Sequence, residues 1–173
     1  CRVSLMEFDS KIFVAGHTGL VGSAIYRQLK NKGFTNIVTA TRYDLDLEDP
    51  QNVANFFSIN QPDYVFLAAA KVGGIVANIK APADFILRNL KIQNNIIESC
   101  NRYSIQKLLF LGSSCMYPKA APMPVDETSL LSGYPEPTNL PYAIAKISGK
   151  VMCDAFREQY GLDAFTVVPS NVY

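Results

Sequence analysis

Several kinds of residue are scarce in this sequence, and each scarcity excludes a class of function. The 16 Lys and Arg residues barely outnumber the 15 Asp and Glu residues, whereas a nucleic-acid-binding surface needs clustered positive charge. No apolar run reaches the ~18 residues of a membrane helix, so we expect neither a membrane span nor a secretory signal. The four cysteines are scattered without a C-x-x-C pair, which favours free thiols in a reducing cytoplasm over disulfides or a metal site.

Segments typical of strands alternate with segments typical of helices along the 173 residues. The Asp49–Pro50 pair is typical of a helix start, as Gly33 is of a helix end. The predicted strands are 11–15, 36–40, 64–70, 107–112 and 164–168, and the predicted helices are 23–32, 50–59, 82–101 and 139–160. This alternation predicts an α/β fold, a doubly wound parallel sheet of the Rossmann type.

A long segment without periodicity, residues 118–141, contains six prolines. It is too long for an ordinary connection, so it is either a functional loop or disordered. Because it leaves the carboxyl end of a central strand, where such sheets bind ligands, we favour a functional loop.

A glycine-rich loop follows the first predicted strand and opens the first helix. In "AGHTGLVGSAI", Gly16 permits a tight turn, Gly19 lets the backbone approach a pyrophosphate, and Gly22 lets helix and strand pack closely. The helix N-terminus adds free N–H groups and partial positive charge for the anion, and we count Leu20 and Val21 with the glycines as cofactor-binding. The alternative is that the glycines serve only the turn.

The position about 20 residues beyond the loop distinguishes NAD from NADP. NAD-binding proteins usually place an acidic residue there, against the ribose 2′-hydroxyl. Here the position holds Arg42, and a guanidinium suits a 2′-phosphate, so we favour NADP(H). The alternative is that Arg42 is a solvated loop cation. Asp46, four residues later, is a candidate for the adenine end.

Tyr142 and Lys146 lie four residues apart in "PYAIAK", on one face of a helix that Asn139 is predicted to cap. A lysine ammonium one turn away favours the phenolate and would bring the tyrosine pKa towards the working range. Ser113, at the end of the fourth strand, can hold a substrate carbonyl against the phenol. A Tyr–Lys pair at this spacing often occurs by chance on a helix surface. Together with the glycine loop and Ser113, however, it indicates a catalytic pair.

The order of these residues resembles the extended short-chain dehydrogenase/reductases, whose catalytic set is Ser or Thr, Tyr and Lys. Four segments, "AAAKVGGI", "NNIIESC", "KLLFLGSSCMYP" and "EPTNLPYAIAKISG", resemble most closely the members that epimerise and then reduce GDP-4-keto-6-deoxymannose with NADPH. The resemblance also implies cofactor contacts for Ala69, Lys146 and Asn171. The alternatives are a nucleotide-sugar 4-epimerase or 4,6-dehydratase, or a non-catalytic dinucleotide-binding module.

The thiol of Cys115 gains a role from this resemblance. Side chains alternate along an extended segment, so Ser113 and Cys115 are predicted to point the same way and Ser114 the other. The resemblance implies that Cys115 is a base for epimerisation at C3 and C5, opposed by a histidine. The sole histidine here, His17, belongs to the glycine loop, so we expect the opposing acid outside this chain. The alternative for Cys115 is a small buried hydrophobe.

The resemblance further implies how the chain is organised. Residues 1–173 correspond to an NADP(H)-binding domain, with the C-terminal substrate domain absent, so we expect the chain alone to be inactive. In the family, the helices at 82–101 and 139–160 pair across a homodimer axis, and we expect the same pairing here. The alternative is that these helices are buried only on their own sheet.

Overall fold

A parallel five-stranded sheet forms the centre of the chain in a computed structural model that describes residues 6–170. The strand order is β2-β1-β3-β4-β5, and every neighbouring pair is parallel. The strands are β1 (Ile12–Ala15), β2 (Ile37–Val38), β3 (Tyr64–Leu67), β4 (Lys107–Leu111) and β5 (Ala164–Val167). The predicted doubly wound α/β fold is confirmed.

Five helices connect these strands: α1 (Leu20–Asn31), α2 (Pro50–Asn60), α3 (Ile75–Lys80), α4 (Pro82–Arg102) and α5 (Leu140–Tyr160). The Asp49 side chain accepts hydrogen bonds from the backbone N–H groups of Gln51 and Asn52, so the predicted cap of α2 is confirmed. Gly33, with φ of +91°, follows the end of α1 as predicted. No helix between residues 6 and 170 is both long and apolar enough to cross a membrane.

Both faces of the sheet are covered, as the alternation of side chains along β1 shows. Phe13 belongs to the larger buried cluster, with α2, α4 and α5. Ile12 and Val14 belong to a second buried cluster on the opposite face, with Leu29 of α1. A strand buried on both faces reads as a continuous apolar run, which is why "KIFVA" shows no period-two pattern.

Two buried contacts fix α5, one to α4 and one to β4. Gln93 of α4 donates from Nε2 to the carbonyl oxygen of Ala145 in α5 at 2.8 Å. A Cβ added at Gly149 would lie 2.4 Å from Cζ of Phe110 in β4, so any side chain there would force Phe110 to move. These contacts fix α5 against the sheet and thereby set where its first turn lies.

Two local predictions were wrong or incomplete. Helix α3 was not predicted, because its six residues are too few to show a helical period and they end two residues before Pro82. Asn139 occupies the N-cap position of α5 but makes no capping hydrogen bond. The segment 118–141 contains short 3₁₀ turns at Glu127–Ser129 and Pro137–Asn139, and α5 begins at its end; that it is a functional loop stays a prediction.

Candidate active site

A cleft of about 640 Å³ opens where β1, β3 and β4 end. The sheet order changes direction between β1 and β3, and open parallel sheets bind ligands at such a switch point. The volume is in the range of small-molecule sites. The cleft brings together every predicted site residue within the described chain: Gly16, Gly19, Leu20, Val21, Gly22, Arg42, Asp46, Ala69, Ser113, Cys115, Tyr142 and Lys146. Asn171 lies outside the described residues.

The glycine loop forms one wall of this cleft, and close backbone approach explains two of its glycines. Gly16 has φ of +86°, and a Cβ there would lie 2.6 Å from the backbone nitrogen of Ala69. A Cβ on Gly22 would lie 2.1 Å from the carbonyl oxygen of Gly16. No side chain caps the start of α1, so its first-turn N–H groups remain available to an anion. The loop fits a dinucleotide pyrophosphate.

Four charged side chains group together in the cleft, Arg42, Asp46, Glu48 and Arg88, and sequence reasoning missed the last two. Glu48 Oε1 lies 3.2 Å from Nη2 of Arg42 and 2.7 Å from Nε of Arg88. The Asp46 carboxylate accepts a hydrogen bond from the backbone N–H of Glu48 at 3.0 Å, which fixes the turn that carries this group. Arg88 comes from α4, 46 positions after Arg42, and no local sequence signal indicates their meeting.

The catalytic end of the cleft is built on the end of β4. Ser113 is extended, but Ser114–Met116 form a 3₁₀ turn, and the Ser113 hydroxyl accepts from the backbone N–H of Cys115 at 3.4 Å. The prediction that side chains alternate here was therefore wrong, and all three residues from Ser113 to Cys115 line the cleft. Ser113 and Cys115 nevertheless share it, because the turn returns the thiol to the side of the hydroxyl.

Lys146 enters the cleft from α5 and is almost wholly buried, with 4% of its surface exposed. Its ammonium donates to the carbonyl oxygen of Leu111 at 2.7 Å and lies 4.8 Å from the ring centroid of Phe110. Burial lowers the pKa of Lys146 to about 8, because desolvation penalises the charged form. The lysine is thus anchored to the main chain of the strand that carries Ser113.

The pKa of Tyr142 is raised, whereas the sequence predicted that it would be lowered. Burial raises the pKa of the phenol, the Ser113 hydroxyl opposes that increase, and the nearby Cys115 sulphur adds to it. The net direction is upward, opposite to the lowering predicted from Lys146, whose ammonium donates to the carbonyl oxygen of Leu111. The phenol therefore keeps its proton at neutral pH in this arrangement, as a proton donor requires.

The loop after β3 is held in place by a buried amide. Asn89 of α4 accepts from the backbone N–H of Lys71 and donates to its carbonyl oxygen, each at 2.9 Å. The Lys71 side chain lines the cleft, and its ammonium lies 5.6 Å from the ring centroid of Phe85. Asn89 thus fixes the backbone of Lys71, a residue of the cleft wall that lies 18 positions earlier in the chain.

A parallel sheet with a glycine loop at its switch point defines the chain as a dinucleotide-binding α/β protein of the Rossmann class. The model of the NAD dependent epimerase/dehydratase family matches residues 12–173, and the chain belongs to this family. The GDP-L-fucose synthase 1 of Arabidopsis thaliana is 56% identical over 170 residues, which are 98% of this chain and 53% of that protein. The GDP-L-fucose synthase of Escherichia coli K12 is 53% identical over 163 residues, 94% of this chain and 51% of its own.

A solved structure has the same fold as this chain. The GDP-mannoheptose C4 reductase of Campylobacter jejuni, with NADP bound, superposes with a TM-score of 0.94 at 43% identity. The match covers 97% of this chain and 53% of the reductase. The chain therefore spans about half the length of the relatives it matches.

Proposed function

We propose that the chain is the cofactor-binding part of a GDP-L-fucose synthase, which epimerises GDP-4-keto-6-deoxymannose at C3 and C5 and then reduces it at C4. The observation that carries the proposal is the meeting of Ser113, Cys115, Tyr142 and Lys146 in the cleft that the glycine loop closes. The two GDP-L-fucose synthases, at 53% and 56% identity, support the same substrate class. The thiol favours this function over a 4-epimerase or a 4,6-dehydratase, neither of which requires it.

The cofactor we propose is NADP(H), which supplies the reducing equivalent for C4 when bound. Gly16, Gly19 and Gly22 would hold the pyrophosphate, because the glycines add no side chains of their own and no side chain caps the start of α1. Arg42, with 67% of its side chain exposed, would bind the 2′-phosphate. Asp46, Ala69 and, beyond the described residues, Asn171 complete the proposed contacts. The related C4 reductase, solved with NADP, supports this choice over NAD.

Each catalytic side chain has a proposed role that follows from its surroundings. Tyr142, whose pKa is raised by burial, holds a proton to give to the C4 oxygen as the ketone is reduced. The Ser113 hydroxyl would hold that oxygen against the phenol. Cys115 would remove the proton at the carbons flanking the ketone, where the adjacent carbonyl makes C–H bonds acidic. Lys146, anchored on Leu111, would bind the cofactor and set the charge near the phenol.

The organisation of the whole protein is also proposed. Residues 1–173 would be the NADP(H)-binding domain, and the GDP-sugar would require a further domain, which we infer from relatives about twice as long. A homodimer would form through the outer faces of α4 and α5, where Leu87 and Val151 are about half exposed. Sedimentation equilibrium of the full-length protein tests this pairing. Free Cys100, Cys115 and Cys153 agree with the cytoplasmic location that we propose.

The function is tested by product analysis with GDP-4-keto-6-deoxymannose and NADPH in deuterated water, using the full-length protein. We expect GDP-L-fucose carrying deuterium at C3 and C5. Tyr142→Phe should lower reduction by about 10²–10⁴-fold and leave deuterium exchange intact, whereas Cys115→Ser should abolish exchange. Tyr160→Phe, at the exposed end of the same helix, is the matched control and should leave both activities unchanged.

Three outcomes would contradict the proposal in different ways. A reduced product without deuterium at C3 and C5 would mean a C4 reductase, as in the Campylobacter relative. Undiminished reduction in Tyr142→Phe would remove the phenol from the chemistry. A wild-type protein that binds NADPH but neither exchanges deuterium nor reduces the ketone would favour a non-catalytic dinucleotide-binding role for this cleft.

A further inference from the structure

The side chain of Asn139 approaches the proposed catalytic thiol. Its Nδ2 donates to Cys115 Sγ at 3.2 Å. Its Oδ1 is buried and has no hydrogen-bond partner within the described chain. The side-chain oxygen of an asparagine at the N-cap of a helix normally accepts a hydrogen bond from a free N–H group of the first turn. Asn139 makes no such bond. Within residues 6–170, the Asn139 amide group therefore hydrogen bonds to the Cys115 sulphur rather than to the helix backbone.

The hydrogen bond joins Cys115, on the turn after β4, to the N-cap position of α5, a helix of 21 residues. The amide N–H donates and the sulphur accepts. The contact therefore fixes the sulphur relative to the helix that carries Tyr142 and Lys146.

Other ionisable side chains line the cleft with Cys115 or lie in the segment that leads to Asn139. Those of the cleft are Arg42, Asp46, Glu48, Lys71, Arg88, Tyr142 and Lys146, and those of the segment include Lys119 and Glu136. Glu136 is paired with Lys119 at 2.8 Å, so this acidic residue is neutralised. Lys146 is engaged with the carbonyl of Leu111. Within this set, the one directed hydrogen bond that reaches the sulphur side chain is that of Asn139.

We propose that Asn139 is a positioning residue for epimerisation, which holds the sulphur of Cys115 in the cleft. The proposal rests on the proposed function, in which the Cys115 thiolate accepts the proton from carbon and becomes a thiol. Asn139 does not touch the reacting atoms. It acts on the first half of the reaction and leaves the reduction at C4, which depends on Tyr142, largely unaffected.

The test compares Asn139→Ala and Asn139→Asp in the full-length protein. Alanine removes the donor, while aspartate keeps the shape but places an acceptor and a negative charge against the sulphur. If Asn139 served only the start of α5, aspartate, a strong N-cap residue, would behave better than alanine. Our proposal requires the reverse order, with aspartate the more impaired variant. Asn139→Ser, which introduces another residue type favoured at N-cap positions, replaces the alanine variant if alanine prevents folding.

Two readouts separate this role from a structural one. The first is the rate of alkylation of Cys115 by iodoacetamide at pH 7, followed by peptide mass spectrometry. We expect this rate to fall about tenfold in Asn139→Ala and further in Asn139→Asp. The second is deuterium exchange at C3 and C5, which should fall in parallel, while oxidation of GDP-L-fucose by NADP⁺ changes less than twofold.

The proposal is overturned if alkylation and exchange match the wild type in Asn139→Ala, or if Asn139→Asp reacts at least as fast as Asn139→Ala. The alkylation arm needs no sugar substrate. A wild-type enzyme that fails to exchange deuterium therefore refutes the proposed function, whereas unchanged alkylation in both variants refutes the role of Asn139 alone.

Discussion

Replacing Lys146 with methionine is expected to remove a pH dependence of stability that the buried ammonium creates. The side chain is 4% exposed, and its one hydrogen bond within the described chain goes to the carbonyl oxygen of Leu111. Methionine has a similar length and no charge, so the packing around Phe110 is largely preserved. Loss of the hydrogen bond to Leu111 shifts the stability of the variant by an amount that does not vary with pH.

The magnitude follows from the change in proton affinity. Burial lowers the pKa of Lys146 from 10.5 to about 8, which at about 1.4 kcal/mol per tenfold change is a cost of about 3 kcal/mol to the folded state at neutral pH. Between pH 8 and 10.5 the folded chain has released this proton while the unfolded chain still holds it. Stability therefore rises with pH in that window, by about 2 kcal/mol between pH 7 and 9.5 for this group.

The assay is urea denaturation followed by circular dichroism at several pH values, for the wild type and for Lys146→Met. Between pH 7 and 9.5 the wild type should gain about 2 kcal/mol relative to the variant, because all other titrations cancel in the difference. Lys150→Met, which removes a less buried ammonium one turn further along α5, controls for the change in net charge. A difference that stays constant over this range would refute the assignment of the buried charge to Lys146.

Three further changes test the walls of the cleft. Gly22→Ala places a Cβ 2.1 Å from the carbonyl oxygen of Gly16, so NADPH binding followed by fluorescence should be lost; binding at wild-type strength would disprove the close approach. Gly149→Ala, whose Cβ would lie 2.4 Å from Phe110, should lower the free energy of unfolding by about 1–3 kcal/mol in urea titrations, and an unchanged midpoint would contradict that. Arg42→Met should weaken NADPH binding about tenfold and NADH binding hardly at all; equal losses would exclude a 2′-phosphate contact.

Much of the fold could be predicted because its signals are local. The apolar runs of the strands, the carboxylate of Asp49 before a proline and the glycines of the first loop each specify their own backbone geometry. A parallel sheet then follows, because strands separated by helices leave few other topologies. The cleft follows in turn from the switch point, and residues at the strand ends meet there without further information.

The details that decide the chemistry depend on contacts between distant segments, and these were not visible in the sequence. The spacing of Tyr142 and Lys146 places both on one helix face, but the lysine bonds to Leu111, 35 residues earlier. Asn139 has the residue type of a helix cap, and its contact with Cys115 spans 24 residues. The 3₁₀ turn at Ser114–Met116 replaced the extended segment that the alternation argument required.

The partner of the buried ammonium is a main-chain oxygen, and this has a consequence for how the site can vary. Every residue that could replace Leu111 retains that oxygen, so substitution at position 111 cannot delete the tether. Substitutions at position 111, whether natural or engineered, can therefore change the side chain there while Lys146 keeps its hydrogen bond. Only displacement of the strand backbone itself would release it.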